Sequence, residues 1–314
     1  MSVSLAFDGE RLSRENPSLE KLTYAIHLIA RHAAQRKINE IIIIGDPNDP
    51  CIVSIGALFQ FFVTPRYLVR ESLSQVLKKQ HVPAKIFSKA KTLPPVPTLV
   101  TYLNSHADKS SPYREGLSIW KKARGHKSAS GKVHKASKSA RTTRYVLVGE
   151  REVVEVKDPL PLHVRVSVDM KTKNVVSGRD AYGYIGYTVR IASNVESVFT
   201  ESSIEYTHGV YVPSRGVFSK PDSGNDNNYD NGNGNDHDNN HDHDHDHDHD
   251  HDKETLALQP LPKYVSLVNK DQKQALVVIV SNRTSLRELC DSELVVAEPP
   301  LRMDDALVLT VAKV

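Results

Sequence analysis

Apolar residues along this chain follow three rhythms, and the changes of rhythm divide it. Leu19, Leu22, Ile26, Ile29 and Ala33 recur at the spacing of one helix face, with Asn16 and Pro17 as cap and first helical residue and the end near Lys37. Glu40 then introduces Ile41 to Ile44, a β-branched run that suits a strand covered on both faces, as in a parallel sheet. Gly45-Asp46-Pro47 closes it, either as a turn or as a ligand loop at the strand's carboxyl end. Helical spacing returns over 52–62 and 65–79, until the prolines between Leu93 and Pro97 break it. From Tyr145 the period is two: 145–148, 153–156 and 163–168 read as short strands of a small antiparallel sheet or barrel. In the stretch from Tyr182 to Phe199, Val189, Ile191, Ala192, Val195, Val198 and Phe199 recur at helical spacing and predict one helix packed on a core. Residues 274–280 read as a buried strand, 285–291 as a helix, 294–296 as a strand and 307–314 as a terminal helix. The fold class is therefore α/β, interrupted by a small β block.

Charge changes the picture in two places. The formal net charge of +3 conceals eleven Asp within 221–252, a tract without Lys, Arg or Glu, so the rest of the chain carries 41 basic against 27 acidic residues. A body this basic points to a polyanionic partner, nucleic acid before membrane, because no apolar run approaches the roughly 18 residues of a spanning helix. The first residues, 1–16, lack the zones of a signal peptide, and Cys51 and Cys290 read as free thiols. The cations concentrate in 121–144, where Lys121, Lys122, Arg124, Lys127, Lys132, Lys135, Lys138, Arg141 and Arg144 stand with no acid among them. Ser, Ala and Gly between them make a phosphate-binding arm, a solvated surface loop or a basic localisation signal, and the last points to the nucleus. The tract over 219–253, rich in Asn, Asp, Gly and His, has nothing apolar to bury and reads as a low-complexity disordered loop, with no catalytic metal expected in it.

Several short strings resemble the SPOUT-type RNA methyltransferases, specifically the eukaryotic and archaeal branch with an inserted OB-fold domain. The strings are Thr64-Pro65-Arg66-Tyr67-Leu68, Tyr113-Arg114-Glu115-Gly116, the run from Tyr182 to Arg190, the stretch from Tyr206 to Gly216, and Ala297-Glu298-Pro299. The resemblance implies a discontinuous α/β domain of trefoil-knot type over 1–112 and 178–314, with an OB-like β insert over 113–177 that carries the basic arm. It also implies a homodimer, an RNA partner, and S-adenosylmethionine held at the carboxyl ends of the parallel strands. Arg215, Gly216, Ser281, Asn282, Glu298 and Pro299 occupy the cofactor-loop positions, and Arg190 and Arg215 are the candidate catalytic residues for orienting substrate or phosphate. Within the insert, Trp120 and Tyr145 are the available stacking residues, so phosphate contacts should outweigh base stacking.

The chain also departs from the pattern it resembles. Family members carry a glycine-rich loop between the AEP element and the last helix, whereas here Pro299 to Ala306 runs almost directly into that helix. Ser281-Asn282 stand where relatives show glycines, and Tyr211 and Ser214 stand where relatives show the first glycine and the glutamate of GTSERG; a Cβ in place of a glycine crowds the space a nucleoside needs. These changes predict weakened cofactor binding and methyl transfer that is slow or absent. Two functions therefore stand open: a methyltransferase acting on ribosomal or other structured RNA, and a non-catalytic RNA-binding relative in ribosome biogenesis or RNA maturation. Either suits a nuclear, nucleolar protein. An interaction scaffold without a nucleic-acid role is the third reading.

Overall fold

A computed structural model describes residues 2–79, 84–105, 111–120, 142–149, 152–214, 259–260, 275–297 and 300–314. Their elements, in chain order, are β1 (Ser2–Asp8), α1 (Gly9–Glu15), α2 (Leu19–Gln35), β2 (Glu40–Ile44), α3 (Pro50–Phe62), α4 (Arg66–Lys79), α5 (Phe87–Ala90), α6 (Val100–Leu103), β3 (Tyr113–Ser118), β4 (Thr142–Leu147), β5 (Val153–Pro161), β6 (Arg165–Asp169), β7 (Val175–Val176), α7 (Gly178–Tyr182), β8 (Thr188–Ala192), α8 (Val195–Thr200), β9 (His208–Pro213), β10 (Gln259–Pro260), β11 (Ala275–Ser281), β12 (Ser292–Glu293) and α9 (Met303–Lys313). A 3₁₀ turn, Thr284–Leu289, takes the place of the helix expected over 285–291.

The main sheet has seven strands in the order β10-β12-β9-β11-β1-β2-β8, every adjacent pair parallel. β1, which the longer apolar runs do not announce, lies against both β2 and β11; Val3, Leu5 and Phe7 alternate along it, and Leu5, Ala6 and Phe7 are fully buried. The β-branched run does form a strand buried on both faces. One face of the sheet packs on α2, α3 and α9 through Ile26, Ile29, Phe59 and Leu307, and the other on α8 and the 3₁₀ turn through Val198 and Leu286.

Further expectations need correction: the strand expected over 294–296 lies at Ser292–Glu293 instead. Residues 188–199 are not one helix: β8 occupies the first half, and Asn194 caps the short α8 by accepting from Ser197 N. Val189, Ile191 and Ala192 satisfy a helical spacing, but β8 is held by parallel pairing to β2. The helix α2 starts from Ser18, whose hydroxyl accepts from Lys21 N, while Asn16 ends α1. At Gly45-Asp46 the structure shows turn chemistry, since the Asp46 carboxylate accepts from Asn48 N at 2.8 Å. A Cβ on Gly45 would lie 2.7 Å from Ile52, so glycine is needed there for packing.

The second sheet is antiparallel and five-stranded, β5-β4-β3-β6-β7, and curls so that Lys157 N of β5 donates to Lys173 O beside β7. Val146, Val148, Val154, Val156 and Val168 fill its interior. It extends the period-two block with β3 and β7. The arm residues 121–141, the tract 219–253 and the rest of 215–258, 261–274 and 298–299 lie outside the described residues; Arg144 is exposed on β4.

This sheet is fastened to the α/β domain by two of the family-like strings. Tyr67 Oη donates to Glu115 O at 2.6 Å, and Leu68 packs on Leu117 and Leu147. Arg165 of β6 donates to Val63 O at 3.1 Å, to Thr64 Oγ1 and to Tyr102 Oη. Glu115, 3% exposed, receives Ser167 Oγ at 2.8 Å and Arg165 Nε at 3.4 Å. Gly116 lets β3 and β4 meet, for a Cβ there would fall 2.4 Å from Val146. Burial pushes the Glu115 carboxyl up to about 7, against the pull of Ser167. Its folded value therefore exceeds its unfolded one, and the stability it contributes is complete at acid pH and lost as pH rises to about 7. The variant Glu115→Gln should flatten the fall in urea-denaturation stability between pH 5 and 7; an unchanged slope would place the titration elsewhere.

Candidate functional site

Because all pairs in the main sheet are parallel, the carboxyl ends of β1, β2, β8, β9 and β11 share one edge. Ligands of open α/β sheets bind at such an edge. There β9 and β11 are joined by Ser281, whose carbonyl accepts from Ser214 N at 2.9 Å and from Tyr211 Oη at 3.0 Å, and whose hydroxyl accepts from Arg283 N at 3.1 Å. Ser281 is buried at the strand end and Asn282 exposed just beyond it. Arg215, Gly216, Glu298 and Pro299 lie outside the described residues.

Sequence reasoning misses the residue on which this edge turns. Asp8 accepts from Arg11 N and starts α1, which carries Arg11 under the first turn of α9. Arg11 Nε donates to Glu15 Oε1 at 3.0 Å, while Glu15 Oε2 accepts from Met303 N at 2.6 Å. Arg11 is 2% exposed, and among the described residues its Nη1 and Nη2 have no hydrogen-bond partner. Ser214 Oγ is likewise buried and without a partner among the described residues. Burial raises the Tyr211 phenol above its ordinary range; Glu293 adds to this, while Arg287 opposes it. An Arg in a polar stretch such as GERLSRE reads as solvated, and no local pattern announces its burial.

On the other face of the same edge is a cavity of about 730 Å³ lined by Asp8, Glu10, Asp46, Asn194, Glu196 and Arg283 among others. Four carboxylates against one guanidinium, itself 3.3 Å from Asp8, make this wall unsuited to a phosphate backbone.

Arg190 is not brought to this edge. From β8 it pairs with Glu40 at 2.9 Å and donates to Ser197 O and Val198 O, holding the end of α8. Glu40, at the opposite end of β2, also accepts from Ser4 Oγ and Tyr206 Oη. Tyr184 and Tyr187 of the same string donate to Ile38 O and Phe59 O, so these residues brace the fold. Replacement Arg190→Met leaves the buried Glu40 without its counter-charge and should cost about 3 kcal/mol of stability, measured by urea denaturation; an unchanged midpoint would mean the pair does not support the fold.

Comparison with known proteins agrees with the architecture. Residues 2–314 match the family described as Putative RNA methyltransferase. Two relatives from Saccharomyces cerevisiae are similar: Putative methyltransferase YMR310C, 28% identical over 214 residues, covering 62% of this chain and 64% of its own, and Putative methyltransferase YGR283C, 32% identical over 215 residues, covering 63% and 56%. The matched stretch is thus under two thirds of either relative's length. With a parallel α/β sheet, a separate curled antiparallel sheet and a family match along nearly its whole length, the chain belongs to the SPOUT-type putative RNA methyltransferases.

Proposed function

We propose that the protein binds S-adenosylmethionine at the carboxyl edge of the parallel sheet and transfers its methyl group to RNA. The observation that supports this most is the pair of buried, unpartnered polar groups, Arg11 and Ser214, where β9 ends under α9. Buried donors without partners are costly, and a polar ligand satisfies them. Their donor chemistry fits the acceptor-rich cofactor, with Arg11 and Ser214 as the described residues that would hold it. When bound, S-adenosylmethionine supplies an electrophilic methyl group on a sulfonium. The chain's share is to position: Ser281 ties two strand ends together, α9 keeps water from the Arg11 side, and the RNA nucleophile is held in line.

RNA binding is assigned to the curled sheet, as an OB-like surface, and to the cations of 121–144. Trp120, exposed just after β3, is available for stacking. Structured non-coding RNA, ribosomal RNA included, in the nucleus and nucleolus suits this basic body, and a homodimer follows from the family resemblance. A second reading, the non-catalytic RNA-binding relative, draws on Ser281: its carbonyl and hydroxyl are already committed, and a side chain stands where relatives have glycine.

Titration calorimetry with S-adenosylmethionine, followed by transfer of labelled methyl to RNA, separates the two. Saturable binding and slow labelling are expected; no binding heat and no label would leave the non-catalytic reading. Neutralising the lysines and arginines of 121–144 should flatten the fall of RNA affinity with salt, the logarithmic slope decreasing by about 0.7 for each single-strand phosphate that is no longer neutralised. An unchanged slope would move the RNA surface elsewhere.

A further inference from the structure

Among the described residues, Arg11 is a cation that the fold encloses and leaves half unsatisfied. Only Nε is engaged, by Glu15, and the four N–H groups of Nη1 and Nη2 find no acceptor. Glu15 cannot turn further toward it, since its second oxygen holds the amide that opens α9. Ser214 supplies an independent sign. Two residues beyond Val212 and four beyond Val210, it continues the side of β9 that packs with Met303 and Leu307 of α9, and its hydroxyl is buried without a partner. Both unpaired groups thus belong to the carboxyl edge of the sheet on the face covered by α9. Met303, 0% exposed, covers that face and keeps a polynucleotide backbone from both groups.

A guanidinium presenting two adjacent nitrogens matches the two oxygens of a carboxylate, and this is its strongest pairing. We propose that Arg11 is the anchor for the carboxylate of the adenosyl cofactor's amino-acid portion, with Ser214 as a second donor. This rests on the cofactor reading above and adds to it the group recognised and the residue that recognises it. Neither residue touches the reacting methyl; their part is to hold one end of the ligand.

Two probes distinguish the carboxylate from the rest: S-adenosylhomocysteine, which carries it, and methylthioadenosine, which keeps the nucleoside and thioether but lacks the amino-acid end. Calorimetric titration of the full chain should give S-adenosylhomocysteine at least about tenfold tighter binding, the size expected of hydrogen bonds to a charged group. In Arg11→Met, which keeps an apolar stem, that advantage should vanish while methylthioadenosine binds as before. Ser214→Ala, a smaller change to the fold, should narrow the gap by roughly threefold. Equal binding of the two probes to the unaltered protein would overturn the anchor and leave the cofactor reading standing. So would a loss in Arg11→Met shared by both probes. If neither probe binds the unaltered protein, the anchor and the cofactor reading fall together.

Discussion

A parallel sheet must be covered on both faces, and nearly everything else here follows from that requirement. Ile41, Ile42 and Ile43 are all fully buried, as are Val277 to Val280, because helices lie on either side of β2 and β11. Parallel strands need crossovers, and the crossovers deliver every strand's carboxyl end to one edge. The chain therefore gains a single place where β1, β9 and β11 stop together and where loops rather than ladders decide what touches a ligand. Covering the sheet with α9, the last helix, also closes Arg11 in. The closure that completes the core and the closure that shapes the site are the same event.

What can be read from the sequence is what local pattern controls. The isoleucine run, the apolar face of α2 and the alternation of the valine strands each carry their own period, and the structure has them. β8 escapes such a reading because Val189, Ile191 and Ala192 fit a strand and a helix equally, and only pairing with β2 settles the matter. β1 lies at the start of the sequence, where the question of targeting masks an alternation that is present all the same. Arg11 belongs to a different class. Its environment is set by Glu15, Met303 and the end of β9, which come together only once the whole domain is folded.

The strings that make the family visible are instructive for where they lie. Thr64, Tyr67 and Glu115 meet at the seam between the two sheets, and Tyr184, Tyr187 and Arg190 brace the neighbouring turn and α8. Buried polar side chains that donate to fixed backbone carbonyls tolerate few replacements, since each loss strands an acceptor. Such positions mark an architecture clearly and say little about chemistry. Here they fasten the curled sheet to the α/β domain and brace α8, away from the strand ends.

The helix α3 has a consequence as a measuring rod. It begins after β2, beside the carboxyl edge, and runs back along the sheet for 13 residues, about 20 Å, to Val63, which accepts from Arg165 of the curled sheet. The curled sheet and the carboxyl edge are thus fastened to opposite ends of one rigid spacer. The separation of the two is therefore set by the length of a helix: one residue added to or removed from α3 would shift the curled sheet against the strand ends by about 1.5 Å.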